Sequence, residues 1–115
     1  MYKEFYQIYH FIEEFKESEL INLDTKISII YRNYKKKPNI SLIKEIRCFC
    51  RNTNRKFYLA NEFKLALYLN LDGVYIPAFN KSFYSNNFSK RKNFKIIGSA
   101  HNINEIKIKE KQKVE

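Results

Sequence analysis

The chain has 115 residues and a mass of 14.0 kDa, a length that suits one domain and falls well short of the roughly 250 residues of a complete eight-stranded βα barrel. Apolar residues make up 44% and aromatic residues 17% of it, which is enough to build a core and excludes a disordered tail, while the apolar runs are too short for a membrane span. The formal net charge of +10 admits nucleic acid or an anionic surface as a partner, and with two Gly and two Pro the chain is not a turn-dense all-β or collagenous one.

Residues 7 to 12, Gln7 to Ile12, are rich in β-branched and aromatic types and predict a strand. The acidic segment Glu13 to Glu19 then leads through a short helix to Leu23. Residues 27 to 32 predict a second strand, whose near-continuous apolarity favours a buried parallel one. The polar stretch Asn33 to Asn39 ends it. Ser41 is placed to cap a helix whose apolar positions Leu42, Ile43, Ile46, Phe49 and Cys50 form one stripe. Phe57 to Ala60 predict a third strand, and Asn61 is read as the cap of a helix that turns Leu65, Ala66 and Leu69 inward. A fourth strand runs from Gly73 to Ile76 and stops at Pro77. After a polar, poorly patterned segment from Asn80 to Asn93, a fifth strand covers Lys95 to Gly98, and Asn102 opens a last helix to about Glu110. The run Lys107 to Lys113 reads as a solvated helix face or a fraying tail. Alternation of strand and helix predicts an α/β fold with a parallel sheet and right-handed crossovers.

The positive charge has two readings. Lys, Asn, Ile, Phe and Tyr supply 64 residues, and all five have A/T-rich codons, so compositional bias accounts for much of the lysine excess. Only five basic residues are Arg, the side chain that grips phosphate and bases best, and nucleic acid is not the partner this composition favours. Cys48 and Cys50 stand two apart in a predicted helix and point roughly 200° apart, so they share neither a metal nor a disulfide. They read as reduced thiols. The N-terminus Met1-Tyr2-Lys3-Glu4 lacks an apolar signal region, so a cytoplasmic location is expected.

In a parallel α/β sheet, ligands gather at the C-terminal strand ends and the loops after them. The polar residues at those places are Arg32, Asn61, Glu62, Asn80, Ser99 and His101. Singly, each has an ordinary structural use: a surface ion pair for Arg32, a helix cap for Asn61 or Ser99. Their recurrence at equivalent topological positions is the informative feature. Lys35, Lys36 and Lys37 beside Arg32 suit a polyphosphate or a solvated loop. No P-loop, dinucleotide-binding glycine motif, zinc-protease motif or nucleophile elbow is present in the sequence.

The segment Asn61-Glu62-Phe63-Lys64-Leu65-Ala66-Leu67, continuing to Leu71-Asp72-Gly73-Val74-Tyr75-Ile76-Pro77, resembles the Asn-Asp, Leu-Ala and Ala-Asp-Gly-Val-His block of the thiamine phosphate synthase/TenI superfamily. Ile97-Gly98-Ser99-Ala100-His101, followed by Glu105, is similar to that family's Gly-x-Ser-x-His…Glu segment, with the glycine displaced by one position. Tyr31-Arg32-Asn33-Tyr34 falls where the family has Gln-x-Arg-Glu-Lys. The three blocks span residues 27 to 110. The resemblance implies a βα barrel that joins hydroxymethylpyrimidine diphosphate to a thiazole phosphate and releases diphosphate, with Arg32, Asn61 and Ser99 as substrate-binding residues. It also implies Mg²⁺, with Glu62 as a metal ligand in place of the family's Asp.

The departures are specific. The family's Gln falls on Ile30, its Lys on Tyr34, and its second metal acid on Asn80. The chain stops after the helix that follows the fifth strand, where the family continues through three more strands that carry the thiazole-phosphate site. The expectation is therefore an incomplete TIM-type barrel of about five parallel strands with flanking helices, residues 1–115 forming one partial domain without the C-terminal strands. Such a chain would not catalyse thiamine phosphate formation alone, and its open sheet edges and apolar inner face would promote self-association. The alternatives are the TenI-like thiazole tautomerase branch and a non-catalytic, basic, nucleic-acid-binding α/β module.

Overall fold

The computed structural model describes residues 8–80, 93–98, 108, 110–112 and 114. In chain order these form β1 (Tyr9–Ile12), α1 (Glu17–Leu20), β2 (Ser28–Tyr31), α2 (Ile40–Asn52), β3 (Phe57–Ala60), α3 (Phe63–Tyr68), β4 (Gly73–Ile76) and β5 (Lys95–Gly98). The strands make an all-parallel five-stranded sheet in the order β1-β2-β3-β4-β5, the sequential order that the alternation predicts. The third, fourth and fifth strands begin and end at the residues the sequence indicates; the first ends as expected at Ile12 and begins at Tyr9, and the second is one residue shorter at each end.

Every residue of β2, β3 and β4 is buried. Successive side chains on a strand point to opposite faces, so both faces of these three strands are covered. This corrects the expectation of an exposed apolar inner face: at these strands the apolar side chains are already out of water. Each such Ile, Leu or Phe contributes about 1.5 to 3 kcal/mol by its burial. At β1, by contrast, His10 and Phe11 are exposed.

The chain divides into two compact halves, residues 1–57 and 58–115. In the first, α2 buries Ile43, Ile46, Phe49 and Cys50 along one stripe, and Cys48 is exposed while Cys50 is buried, as their spacing requires. Phe15 meets Phe49 edge-on at 5.5 Å. Asn39, not Ser41, caps α2: its side-chain oxygen accepts the Leu42 N–H at 3.2 Å. The helix thus starts two residues earlier than expected, because an Asn at that place satisfies an orphan N–H and leaves Ser41 inside the first turn.

Both main helices leave by the same backbone device. Asn54 follows α2 with φ 58° and Asn70 follows α3 with φ 57°. The next residue in each case donates its N–H back across the last turn, Arg55 to the Cys50 carbonyl at 2.7 Å and Leu71 to the Ala66 carbonyl at 3.0 Å. This is a Schellman closure with Asn where Gly is usual. In the second half, Phe63 and Ala66 are the buried face of α3, and Phe63 meets Phe94 edge-on at 5.7 Å. Gly73 opens β4 where a Cβ would strike the Lys95 carbonyl oxygen and the Tyr58 ring, so only glycine lets β5 approach at this register. Ile108, Glu110 and Lys111 are helical, in agreement with the last predicted helix.

Candidate functional site

Arg32 is the first residue past β2. Its backbone N–H donates to the Ile12 carbonyl at 2.8 Å, which continues the sheet pattern one step and fixes where the side chain starts. The guanidinium lies over the Phe11 ring, 4.2 Å from its centre. Among the described residues it has no hydrogen-bond or ion-pair partner, so stacking orients the group and leaves its planar fork of donors unspent. Beyond it, Asn33 accepts the Lys35 N–H at 3.1 Å in a side-chain-closed turn, and Lys35, Lys36 and Lys37 are exposed.

Asn61 is the first residue past β3, and it does not cap α3. Its φ is 64°, a left-handed conformation that Asn tolerates and most residues do not. Its N–H donates to the Tyr75 carbonyl at 2.7 Å. That geometry turns the side chain away from the helix start, and Glu62 occupies the cap position without a side-chain hydrogen bond. The side-chain oxygen of Asn61 instead accepts a hydrogen bond from Nδ2 of Asn80.

Asn80 closes the turn after β4, donating its N–H to the Pro77 carbonyl at 3.0 Å. Its own carbonyl accepts from Nε2 of Gln112 at 2.9 Å, and Gln112 is fully buried, with 0% exposure. A chain of three amides therefore runs from the last helix through the end of β4 to the end of β3. Gln112 corrects the reading of the Lys107 to Lys113 run as wholly solvated. The signal was present in the sequence: Gln112 is the one uncharged polar residue of that run and stands four after Ile108, on the same helix face.

Of the six strand-end candidates, the structure brings Asn61 and Asn80 into contact and places Arg32 and Glu62 at strand ends. Ser99 and His101, with Glu105 of the same motif, lie outside the described residues. Glu62 is mainly exposed, and partial desolvation raises its carboxyl above the ordinary value. Mg²⁺ asks for several hard oxygen ligands in octahedral array. Among the described residues no three His, Cys, Asp or Glu side chains gather to hold a metal, and Asn80 turns an N–H toward Asn61. The described donor set does not fit Mg²⁺.

Among the described residues no helix is long and apolar enough to cross a membrane. No family model matches the chain, and no curated protein matches it significantly.

Proposed function

We propose that the chain is a thiamine phosphate synthase-like protein that holds hydroxymethylpyrimidine diphosphate at the C-terminal ends of its parallel strands. The observation that carries this reading is the hydrogen bond between Asn61 and Asn80, which joins the residue after β3 to the turn after β4. It supports a built polar site at the sheet end where α/β proteins bind ligands. The sequential strand order is also that of a βα barrel, the architecture this reading requires.

In the reaction of the family that this chain resembles, the bond between the pyrimidine methylene carbon and the diphosphate oxygen breaks, and its electron pair leaves with the diphosphate. The ring stabilises the resulting cation, and the thiazole nitrogen closes the new carbon–nitrogen bond. Arg32 disperses the charge gathering on the departing phosphate oxygens, which the unspent guanidinium donors suit. Asn61 donates from its side-chain nitrogen, and Ser99 is the third proposed contact. Asn80, a neutral amide at the position of the family's second metal acid, favours the TenI-like tautomerase branch as the second reading.

Titration calorimetry with the pyrimidine diphosphate tests the proposal. Arg32→Ala is expected to weaken binding by about 1.5 to 3 kcal/mol, the range of a hydrogen bond to a charged group. Equal affinity of variant and parent removes Arg32 from the site, and no heat of binding to the parent removes the reading.

A further inference from the structure

The side-chain amide of Asn61 has one oxygen and one NH₂ group, and the fold has assigned the oxygen. Nδ2 of Asn80 donates to it, and among the described residues the Asn61 NH₂ has no hydrogen-bond partner. Both backbones are pinned. Asn61 is held at φ 64° with its N–H on the Tyr75 carbonyl. Asn80 is held on one side by the Pro77 carbonyl and on the other by the buried Gln112 amide. With the Asn80 amide oriented as it stands, rotating the Asn61 amide by half a turn would set NH₂ against NH₂, which costs the hydrogen bond and adds repulsion.

We propose that Asn80 locks Asn61 as a hydrogen-bond donor, with Gln112 as the positioning residue, so that this strand end selects a ligand group that accepts hydrogen bonds. The acceptor chemistry is an anionic phosphate oxygen or an unprotonated ring nitrogen. Only the identity of the ligand rests on the function proposed above; the lock itself is a property of the ligand-free chain. A carboxylate at position 80 would reverse it. An ionised Asp only accepts, so Asn61 would turn its NH₂ inward and present oxygen to the ligand.

Proton exchange of the side-chain amides in the whole ¹⁵N-labelled chain reads the lock directly, with Asn61→Asp and Asn80→Asp assigning the two pairs by their loss. Without ligand, the Asn80 pair is expected to exchange about fivefold more slowly than the Asn61 pair, a factor in keeping with one modest hydrogen bond. In Asn80→Asp the Asn61 pair becomes the slow one. Gln112→Leu brings the Asn80 pair toward the Asn61 rate. A protected Asn61 pair in the parent overturns the lock, and that measurement needs no variant to fold. Inorganic pyrophosphate and the unphosphorylated aminopyrimidine are then added separately. A shift of the Asn61 pair with pyrophosphate assigns the phosphate oxygen as acceptor, and a shift with the aminopyrimidine alone assigns the ring nitrogen. Silence with both overturns the acceptor class and leaves the ligand-free result to decide the lock.

Discussion

Arg55, at the exit of α2, and Arg32, at the end of β2, both set a guanidinium against a phenylalanine ring, 5.5 Å from Phe49 and 4.2 Å from Phe11. They differ in what their donors meet. Arg55 is 4% exposed, and one of its terminal nitrogens donates to the carbonyls of Leu20, Ile21 and Leu23 at 3.1, 3.2 and 2.8 Å. Those are the last carbonyls of α1 and the turn after it, where a helix leaves acceptors unpaired and favours positive charge. Arg32 is half-buried, and among the described residues its guanidinium meets the Phe11 ring and no hydrogen-bond acceptor. The same side chain is an internal brace in one place and, in the proposed function, an anion contact in the other. Spent donors, not residue type, separate the two.

Arg55→Met is the largest test of this contrast. Methionine keeps the length and much of the packing but removes the donor from the Ile21 and Leu23 carbonyls and leaves the Leu20 carbonyl with the Leu23 N–H, and a loss of about 2 to 3 kcal/mol in denaturant unfolding is expected. The opposing term is the cost of burying a cation with no carboxylate beside it among the described residues, and its Nε has no partner. A gain in stability for Arg55→Met would mean that desolvation outweighs the three hydrogen bonds. In the same assay Arg32→Ala should lose less than about 1 kcal/mol, the size of an exposed cation–π contact.

The three left-handed asparagines sharpen the comparison further. Asn54 and Asn70 take this conformation at the exit of a helix, whereas Asn61 takes it at the exit of a strand and its side chain accepts a hydrogen bond from Asn80. Asn54→Ala should cost about 1 kcal/mol because a non-glycine side chain other than Asn or Asp is disfavoured in the left-handed region, and Asn54→Gly only a few tenths. A loss for Asn54→Gly as large as that for Asn54→Ala would show that the Asn54 side chain is itself needed.

Much of the architecture was legible because it follows from period and punctuation. The four-residue strands Phe57–Ala60 and Gly73–Ile76 are solid apolar runs bounded by Asn and Pro, and the α2 stripe has helical spacing. The strand-end positions followed from the order of elements. What could not be read was how an asparagine is used. Asn39, Asn54 and Asn61 are a helix cap, a helix exit and a strand exit, and no local pattern separates them because one short amide serves both as acceptor and as a left-handed backbone residue. Arg55 was equally opaque. Its partners lie 32 to 35 residues earlier in the chain, and a sequence window sees only a charged residue after a helix.

The claim that the strand ends hold the pyrimidine diphosphate is tested most directly by calorimetric titration of that compound into Asn61→Gly. Glycine adopts the same left-handed backbone without strain, so β3 and α3 keep their geometry and only the side-chain amide is lost. Affinity at least about tenfold weaker than the parent's is expected, from the loss of one hydrogen bond to a charged ligand. Unchanged affinity in a folded Asn61→Gly chain would contradict it.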